Sequence, residues 1–191
     1  MNRLVCVVEG YGEVQALPNL CARILIHLNA DEWFVDNNPI RRDRGHLVDQ
    51  GCGGPRRVCK PLGIEKAIEL AKLRPANGVI VIVDSDDDCA AAWGPDAQRC
   101  IRAKMPGGAV MVVREFESWL LWGFAEGERR RIGVTNPESV RDAKKALGRL
   151  VKGYLPTVHQ LELTRRISIP QLRGQSRSFD KLVRVLEDLC C

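Results

Sequence analysis

GVIVIVDSDDD, residues 78–88, joins an unbroken run of valine and isoleucine to four aspartates. The apolar part does not alternate with polar residues, which is typical of a strand buried on both faces of a parallel sheet. RLVCVVE (3–9) and the start of AVMVVREFESWLLWGF (109–124) have the same character. The three runs therefore predict the central strands of one parallel sheet, and each of them is followed by an acid.

Helical periodicity fills the segments between these strands. VQALPNLCARILIHL (14–28) and GIEKAIELAKLR (63–74) carry apolar residues at the spacing of an amphipathic helix, with Pro18 expected in the first turn. DEWFVDN predicts a further strand, and helices are expected over 95–104, 137–151, about 157–166, and 178–189. The alternation predicts an α/β fold, a mostly parallel sheet flanked by helices, with a helical C-terminal extension. We expect a domain over 1–128 and the extension over 129–191, packed as one compact unit.

The composition is that of a globular chain. It has 191 residues, of which 45% are hydrophobic and 28% charged, and a net charge of +5. No apolar run approaches the roughly 20 residues that span a bilayer, and the N-terminus lacks a signal-peptide cleavage site. We therefore expect a cytoplasmic protein with reduced cysteines. None of its eight cysteines forms a C-x-x-C pair, and His46, Cys52 and Cys59 match no standard zinc spacing.

Acids at the strand ends are the main chemical signal. The carboxyl ends of parallel strands share one edge of a sheet, where ligands bind, so these acids are expected to converge. Clustered carboxylates need a positive partner, and Mg²⁺ or Mn²⁺ fits oxygen ligands. Asp84 and Asp86 are two apart, so in an extended chain both would point to one metal. The candidate ligands are Glu9, Asp84, Asp86, Asp88, Glu115 and Glu117. For any single acid, a helix cap or a solvated surface charge remains an alternative.

Several better-known sites are excluded by single residues. A calcium loop beginning at Asp84 would need glycine and glutamate where Cys89 and Pro95 stand. The dinucleotide fingerprint fails at Gln15, which occupies the place of its third glycine. The chain also has no P-loop and no G-x-S-x-G motif, which argues against a P-loop ATPase and an α/β-type serine hydrolase.

The order of two short motifs resembles the Toprim domain of topoisomerases, primases and OLD-type nucleases. Glu9-Gly10 ends one strand, and Asp84-Ser85-Asp86 ends a later one. VEGYGEVQALPNL, VIVDSDDD, VVREFESWLL, VHQ and SRSF together resemble an uncharacterised bacterial Toprim-like family related to RloB-like and OLD-family proteins. The resemblance covers most of the chain. It implies a Toprim/Rossmann-like fold and Mg²⁺-dependent phosphodiester cleavage.

The resemblance also implies roles for individual residues. Glu9 would act as general acid/base or metal ligand, Asp84 and Asp86 would hold Mg²⁺, and Glu117 with Glu115 would complete a second metal position. The predicted catalytic set is Glu9, Asp84, Asp86 and Glu117. Basic residues and glycines near these motifs and in the distal region are expected to contact phosphate or nucleic acid. They are Gly10, Gly12, Arg41, Arg42, Arg44, Arg56, Arg57, Lys60, Arg114, Lys152, His159 and Arg177.

Three functions follow as hypotheses. The first is a nuclease acting on DNA or RNA, in bacterial anti-phage defence, with a separately encoded ATPase as partner. The second is a non-catalytic Toprim-like module that binds nucleic acid or an ATPase. The third is another D-x-D enzyme, such as a nucleotidyl or glycosyl transferase, which would need a nucleotide pocket. Metal binding that depends on Asp84 distinguishes the first from the second.

Overall fold

The computed structural model describes residues 1–48 and 63–190. The strands are β1 (Asn2–Val8), β2 (Trp33–Val35), β3 (Ile40–Arg41), β4 (Gly78–Asp84) and β5 (Gly107–Val112). The helices are α1 (Glu13–His27), α2 (Arg44–Leu47), α3 (Ile64–Lys72), α4 (Ala90–Arg102), α5 (Glu117–Leu121), α6 (Glu126–Arg131), α7 (Ala143–Leu150), α8 (Pro156–Thr164), α9 (Ile169–Gln175) and α10 (Arg177–Cys190). A 3-10 turn lies at Pro137–Ser139. No helix within these described ranges is long and apolar enough to cross a membrane.

The strands form one parallel sheet, as the sequence predicted. Their order is β2–β1–β4–β5, and β3 also pairs with β1. The start of β1 pairs with β2, and its end at Val7 and Val8 pairs with β3. Every described pairing is parallel. The carboxyl ends of β1, β4 and β5 therefore share one edge, and the α/β prediction is confirmed.

The sheet is covered on both faces, which explains the unbroken apolar strands. Alternate residues of β1 contribute to two separate hydrophobic clusters: Leu4 and Cys6 to the cluster containing α1 and α10, and Val5 and Val7 to the one containing α3 and α4. Phe179 of α10 is fully buried in the first cluster. The segment after residue 128 thus closes one face of the sheet.

The outer edge of β5 is occupied by a side chain. The Nε2 of Gln98 donates to the carbonyl of Gly107 at 2.9 Å, and its Oε1 accepts from the N–H of Ala109 at 3.2 Å. The amide thereby satisfies the two backbone groups that a further strand would pair with.

Helices α1, α4 and α9 each contain a proline. Pro18 lies in the second turn of α1, not the first, because α1 begins at Glu13. Helix α4 begins at Ala90 and contains Pro95. Its first turn is anchored by Trp93, whose Nε1 donates to the carbonyl of Leu47 at 3.0 Å. Helix α9 was not predicted; its Pro170 lies in the first turn of the helix, where proline is tolerated.

Candidate functional site

Carboxylates from three strand ends meet at the carboxyl edge of the sheet. Glu9 follows β1, Asp84 is the last residue of β4, and Glu117 begins α5 just after β5. A fourth acid, Glu13, begins α1 and was not predicted as part of the site. Glu13 is 5% exposed and Glu117 is 1% exposed. Side chains of this kind are almost never buried unless they are paired or functional.

Backbone amides hold three of these carboxylates in place. The N–H of Asp84 donates to Oε2 of Glu9 at 3.4 Å, which links the ends of β1 and β4. The N–H of Phe116 donates to Oδ1 of Asp84 at 2.8 Å, which links β4 to the segment after β5. The N–H of Gly10 donates to Oε2 of Glu13 at 3.1 Å. The acids are therefore positioned by the sheet edge and not by mobile surface loops.

Glu117 is held by the helical C-terminal segment. Its Oε1 accepts from the hydroxyl of Tyr154 at 3.2 Å and from Nε2 of Gln160 at 3.1 Å. Its Oε2 is buried and has no hydrogen-bond partner among the described residues. A buried carboxylate oxygen without a partner carries a desolvation cost, so it marks a place where a ligand or cation would be favourable.

Burial raises the pKa of all four carboxyl groups. For Asp84, burial is the largest cause, followed by repulsion from Glu13, Glu117 and Glu9. Burial raises the pKa of Glu13 to about 7, with the hydrogen bond from Gly10 opposing the shift and Glu117 adding to it. The pKa of Glu9 and of Glu117 is also raised by burial, which outweighs the attraction of a nearby cation. The four groups lie close enough to disfavour a fully ionised cluster.

Arg44 neutralises the outer part of the site. Its Nη1 lies 3.3 Å from Oε2 of Glu9 and 3.6 Å from Oδ2 of Asp86, and its Nη2 lies 2.5 Å from Oδ2 of Asp88. It also donates to the backbone carbonyl of Asp84. Arg44 was predicted from its charge to contact nucleic acid. In the structure its guanidinium is committed to acids of the site.

The prediction that Asp84 and Asp86 point the same way is wrong. The strand ends at Asp84, and Asp86 has a left-handed backbone with φ 48°. This turn carries Asp86 out to an exposed position, and Asp88 is paired with Arg44. Asp87, also exposed, pairs with Arg114 at 2.6 Å. Asp86 and Asp88, both predicted as ligands, therefore lie around the carboxylate cluster and interact with basic side chains.

Glu115 was predicted as a metal ligand but contacts the start of a helix. Its Oε2 accepts from the backbone N–H of Lys144, in the first turn of α7, at 3.2 Å. Burial lowers the pKa of the Lys144 ammonium, but attraction by Glu117, Glu115 and Asp84 outweighs it, so the pKa is raised. Lys144 thus supplies positive charge to the site, and this role was not predicted.

Gly10 and Gly12 make room for side chains of the protein itself. A Cβ at Gly10 would lie 2.7 Å from Oε1 of Glu13. A Cβ at Gly12 would lie 2.6 Å from the amide of Gln160 and 2.7 Å from Cβ of Pro156. Both glycines were predicted to contact phosphate. In the structure Gly10 leaves room for the carboxylate of Glu13, and Gly12 lets α1 and α8 approach closely enough for Gln160 to reach Glu117.

Substituting Gly12 by alanine is expected to lower the free energy of unfolding by about 2 kcal/mol, because the added methyl overpacks the contact with Gln160. Urea unfolding measures the change. Gly127 is a matched control, since it lies in α6 with no atom within 4 Å of a built Cβ. Gly127→Ala should stabilise the protein by about 0.5–1 kcal/mol. Equal effects of the two substitutions would show that Gly12 is not packed as described.

The comparisons with known proteins identify a family but no activity. A family model described as a domain of unknown function (DUF4276) matches residues 8–187. The chain belongs to this family. No curated protein and no solved structure matches it. The DUF4276 match contains Glu9, Glu13, Asp84 and Glu117, so the carboxylate cluster lies within the family domain. The Toprim resemblance stays a prediction.

The remaining basic residues of this DUF4276 chain fall into different environments. Arg41 contacts the backbone carbonyl of Glu9 at 3.4 Å, and Lys152 and Arg177 are exposed. Nδ1 of His159 accepts from the N–H of Leu155 at 3.0 Å, so it caps its own helix. Arg42 is partly buried. The predicted contacts Arg56, Arg57 and Lys60 lie outside the described residues, as do Cys52 and Cys59.

The donor chemistry of the cluster fits a hard divalent cation. In the described part of the chain, no group of three or more histidine, cysteine, aspartate or glutamate side chains is arranged to hold a metal ion as it stands. Metal binding would therefore require carboxylates to turn towards a common point. The unpartnered Oε2 of Glu117 and the mutual repulsion of the four acids both favour that change.

Proposed function

We propose that this protein is a Toprim-like nuclease that uses Mg²⁺ or Mn²⁺ to cleave phosphodiester bonds. The observation that carries the proposal is the carboxylate cluster, in which Glu117 has a buried oxygen without a partner. Natural proteins rarely bury several acids together without a function, and groups with strongly perturbed pKa values concentrate at functional sites. The proposed metal-binding residues are Glu9, Glu13, Asp84 and Glu117.

Three of the four carboxylates have roles that follow from their surroundings. Asp84 and Glu117 would hold the cation, because backbone and side-chain donors fix one oxygen of each and leave the other to bind. A bound cation would supply charge stabilisation at the reacting phosphate. The side chain of Glu9 remains 21% exposed, and its raised pKa suits proton exchange with substrate or water.

Two guanidinium groups beside the cluster offer contacts to a polyanionic substrate. A cavity of about 270 Å³ beside it is lined by Asp86, Asp87, Arg114, Glu115 and Arg141. The two guanidinium groups both pair with Asp87, at 2.6 and 3.3 Å, and both are accessible. Guanidinium groups bind phosphate well, and a phosphodiester backbone would offer them a second anion.

Cleavage by the purified full chain tests the proposal. We expect labelled DNA or RNA to be cut in the presence of Mg²⁺ or Mn²⁺ and to stay intact in EDTA. The assay is run with the chain alone and with the products of neighbouring genes. Absence of metal-dependent cleavage of either nucleic acid in both settings would contradict the proposal.

A second candidate function is a non-catalytic module that binds nucleic acid or an ATPase. Arg44 favours it, because its guanidinium already pairs with Glu9, Asp86 and Asp88 and so supplies charge that a cation would otherwise provide. Calorimetry separates the two functions. Mn²⁺ binding that is lost in Asp84→Asn supports the nuclease, and absence of Mn²⁺ binding supports the module.

A further inference from the structure

Tyr11 is an exposed aromatic residue on the loop that carries the site. It stands between Gly10 and Gly12, with Glu9 and Glu13 two positions away on either side. The residue is 68% exposed, although both flanking glycines are at least partly buried. A single exposed tyrosine is ordinary on a protein surface. Its contacts and its place beside the carboxylates make this one informative.

A guanidinium fixes the orientation of the Tyr11 ring. The Cζ of Arg41 lies over the ring at 4.0 Å from its centroid, within the range of a cation–π contact. Arg41 is itself anchored, because its Nη1 lies 2.6 Å from Oδ1 of Asp43 and 3.4 Å from the carbonyl of Glu9. It belongs to β3, whose Arg41 pairs in register with Val8 of β1. The ring is therefore held in place relative to the sheet edge.

We propose that Tyr11, supported by Arg41, is a stacking platform for an unpaired nucleobase of the substrate. This inference rests on the proposed nuclease function and adds its substrate class, namely single-stranded or locally unpaired nucleic acid. A fixed aromatic face next to a guanidinium suits a base and its phosphate together. Bases stacked within a duplex present no free face, so the platform selects for strands that are open at the site.

Binding to the metal-free protein needs attractive contacts away from the carboxylates. Ionised Glu9 and Glu13 would repel the phosphates of a nucleic-acid strand. The Tyr11–Arg41 pair provides both an apolar surface and a positive charge within two residues of these acids. Leu155, which precedes α8, and Val158, within it, add exposed apolar surface next to Pro156, which packs against Gly12.

Fluorescence anisotropy with the full chain in EDTA tests the inference. The probes are a labelled single strand of about 12 nucleotides, as DNA and as RNA, and the matching DNA duplex. We expect Tyr11→Ala to weaken single-strand binding by about 5- to 150-fold, the range found when base-stacking aromatics are replaced by alanine. Tyr11→Phe, which keeps the ring, should restore most of the affinity. Duplex binding should change less than twofold, roughly the scatter of surface substitutions.

Ile26→Ala is the matched control, because Ile26 is an equally exposed apolar residue at the far end of α1. Unchanged single-strand binding by Tyr11→Ala would overturn the inference. Equal weakening for single strand and duplex, or no binding of the single strand by the wild-type chain, would also overturn it. Tyr11-dependent binding without any metal-dependent cleavage would instead refute the nuclease proposal and leave the platform intact.

Discussion

Replacing Asp84 by asparagine is expected to lower the rate of metal-dependent cleavage by more than about a hundredfold. Replacing a residue that only orients a metal ligand typically lowers metal affinity or activity by about 10- to 100-fold. Replacing a ligand itself should cause a larger loss. Asparagine keeps an oxygen that accepts from the N–H of Phe116, so the link between β4 and the segment after β5 survives. Initial rates at saturating Mn²⁺ measure the loss, and the circular dichroism spectrum should be unchanged.

Asp87→Asn is the matched control for this experiment. Asp87 lies three residues further along the same segment, but it is exposed and pairs with Arg114 and Arg141. Its replacement should leave the metal dependence of cleavage intact. Equal loss of activity in the two variants would show that the acidic segment acts as a whole and that Asp84 has no special role.

Replacing Glu13 by glutamine is expected to stabilise the metal-free protein by about 3 kcal/mol above pH 7. The pKa of Glu13 rises from 4.5 to about 7 on folding, and each pKa unit corresponds to about 1.4 kcal/mol. Between pH 4.5 and about pH 7, the folded state keeps a proton on Glu13 that the unfolded state has released. The contribution of Glu13 to stability is therefore present below pH 4.5 and is lost as the pH rises through about 7.

Urea unfolding in EDTA across this pH range measures the difference. Glutamine keeps an acceptor for the N–H of Gly10, so the two proteins should have equal stability below about pH 4.5 and diverge above it. Glu65→Gln, on the exposed side of α3, serves as control and should change stability by less than about 0.5 kcal/mol. A Glu13→Gln protein that is less stable than wild type at pH 8 would show that Glu13 is ionised and well paired.

The sheet and its site-bearing edge were predictable because unbroken valine and isoleucine runs report burial on both faces. Glu9, Asp84 and Glu117 follow from the same pattern, since they mark where three such strands end. The place of Glu13 in the cluster could in principle have been predicted, because it lies four residues after Glu9. An acid in the first turn of a helix is, however, ordinarily explained by the helix dipole.

Other features depend on contacts that leave no local trace in the sequence. Tyr154 and Gln160 reach Glu117 from α8 and the residues before it, about forty residues further along the chain. Asp86 was misplaced because the D-x-D spacing was interpreted as extended, whereas the backbone turns at φ 48°. The pairing of Arg44 with Glu9 and Asp88 was missed for a similar reason, because charge alone does not reveal which anion a guanidinium pairs with.

Anomalous diffraction from crystals of the chain soaked in Mn²⁺ would show whether the carboxylate cluster binds a metal ion. We expect a manganese peak within about 2.4 Å of a carboxylate oxygen of Asp84 and of at least one of Glu9, Glu13 and Glu117. The Oε2 of Glu117 should have gained a partner, either the metal or a water bound to it. Manganese bound elsewhere, with Glu9 still paired with Arg44 and no peak at this edge of the sheet, would show that the cluster is not a metal site.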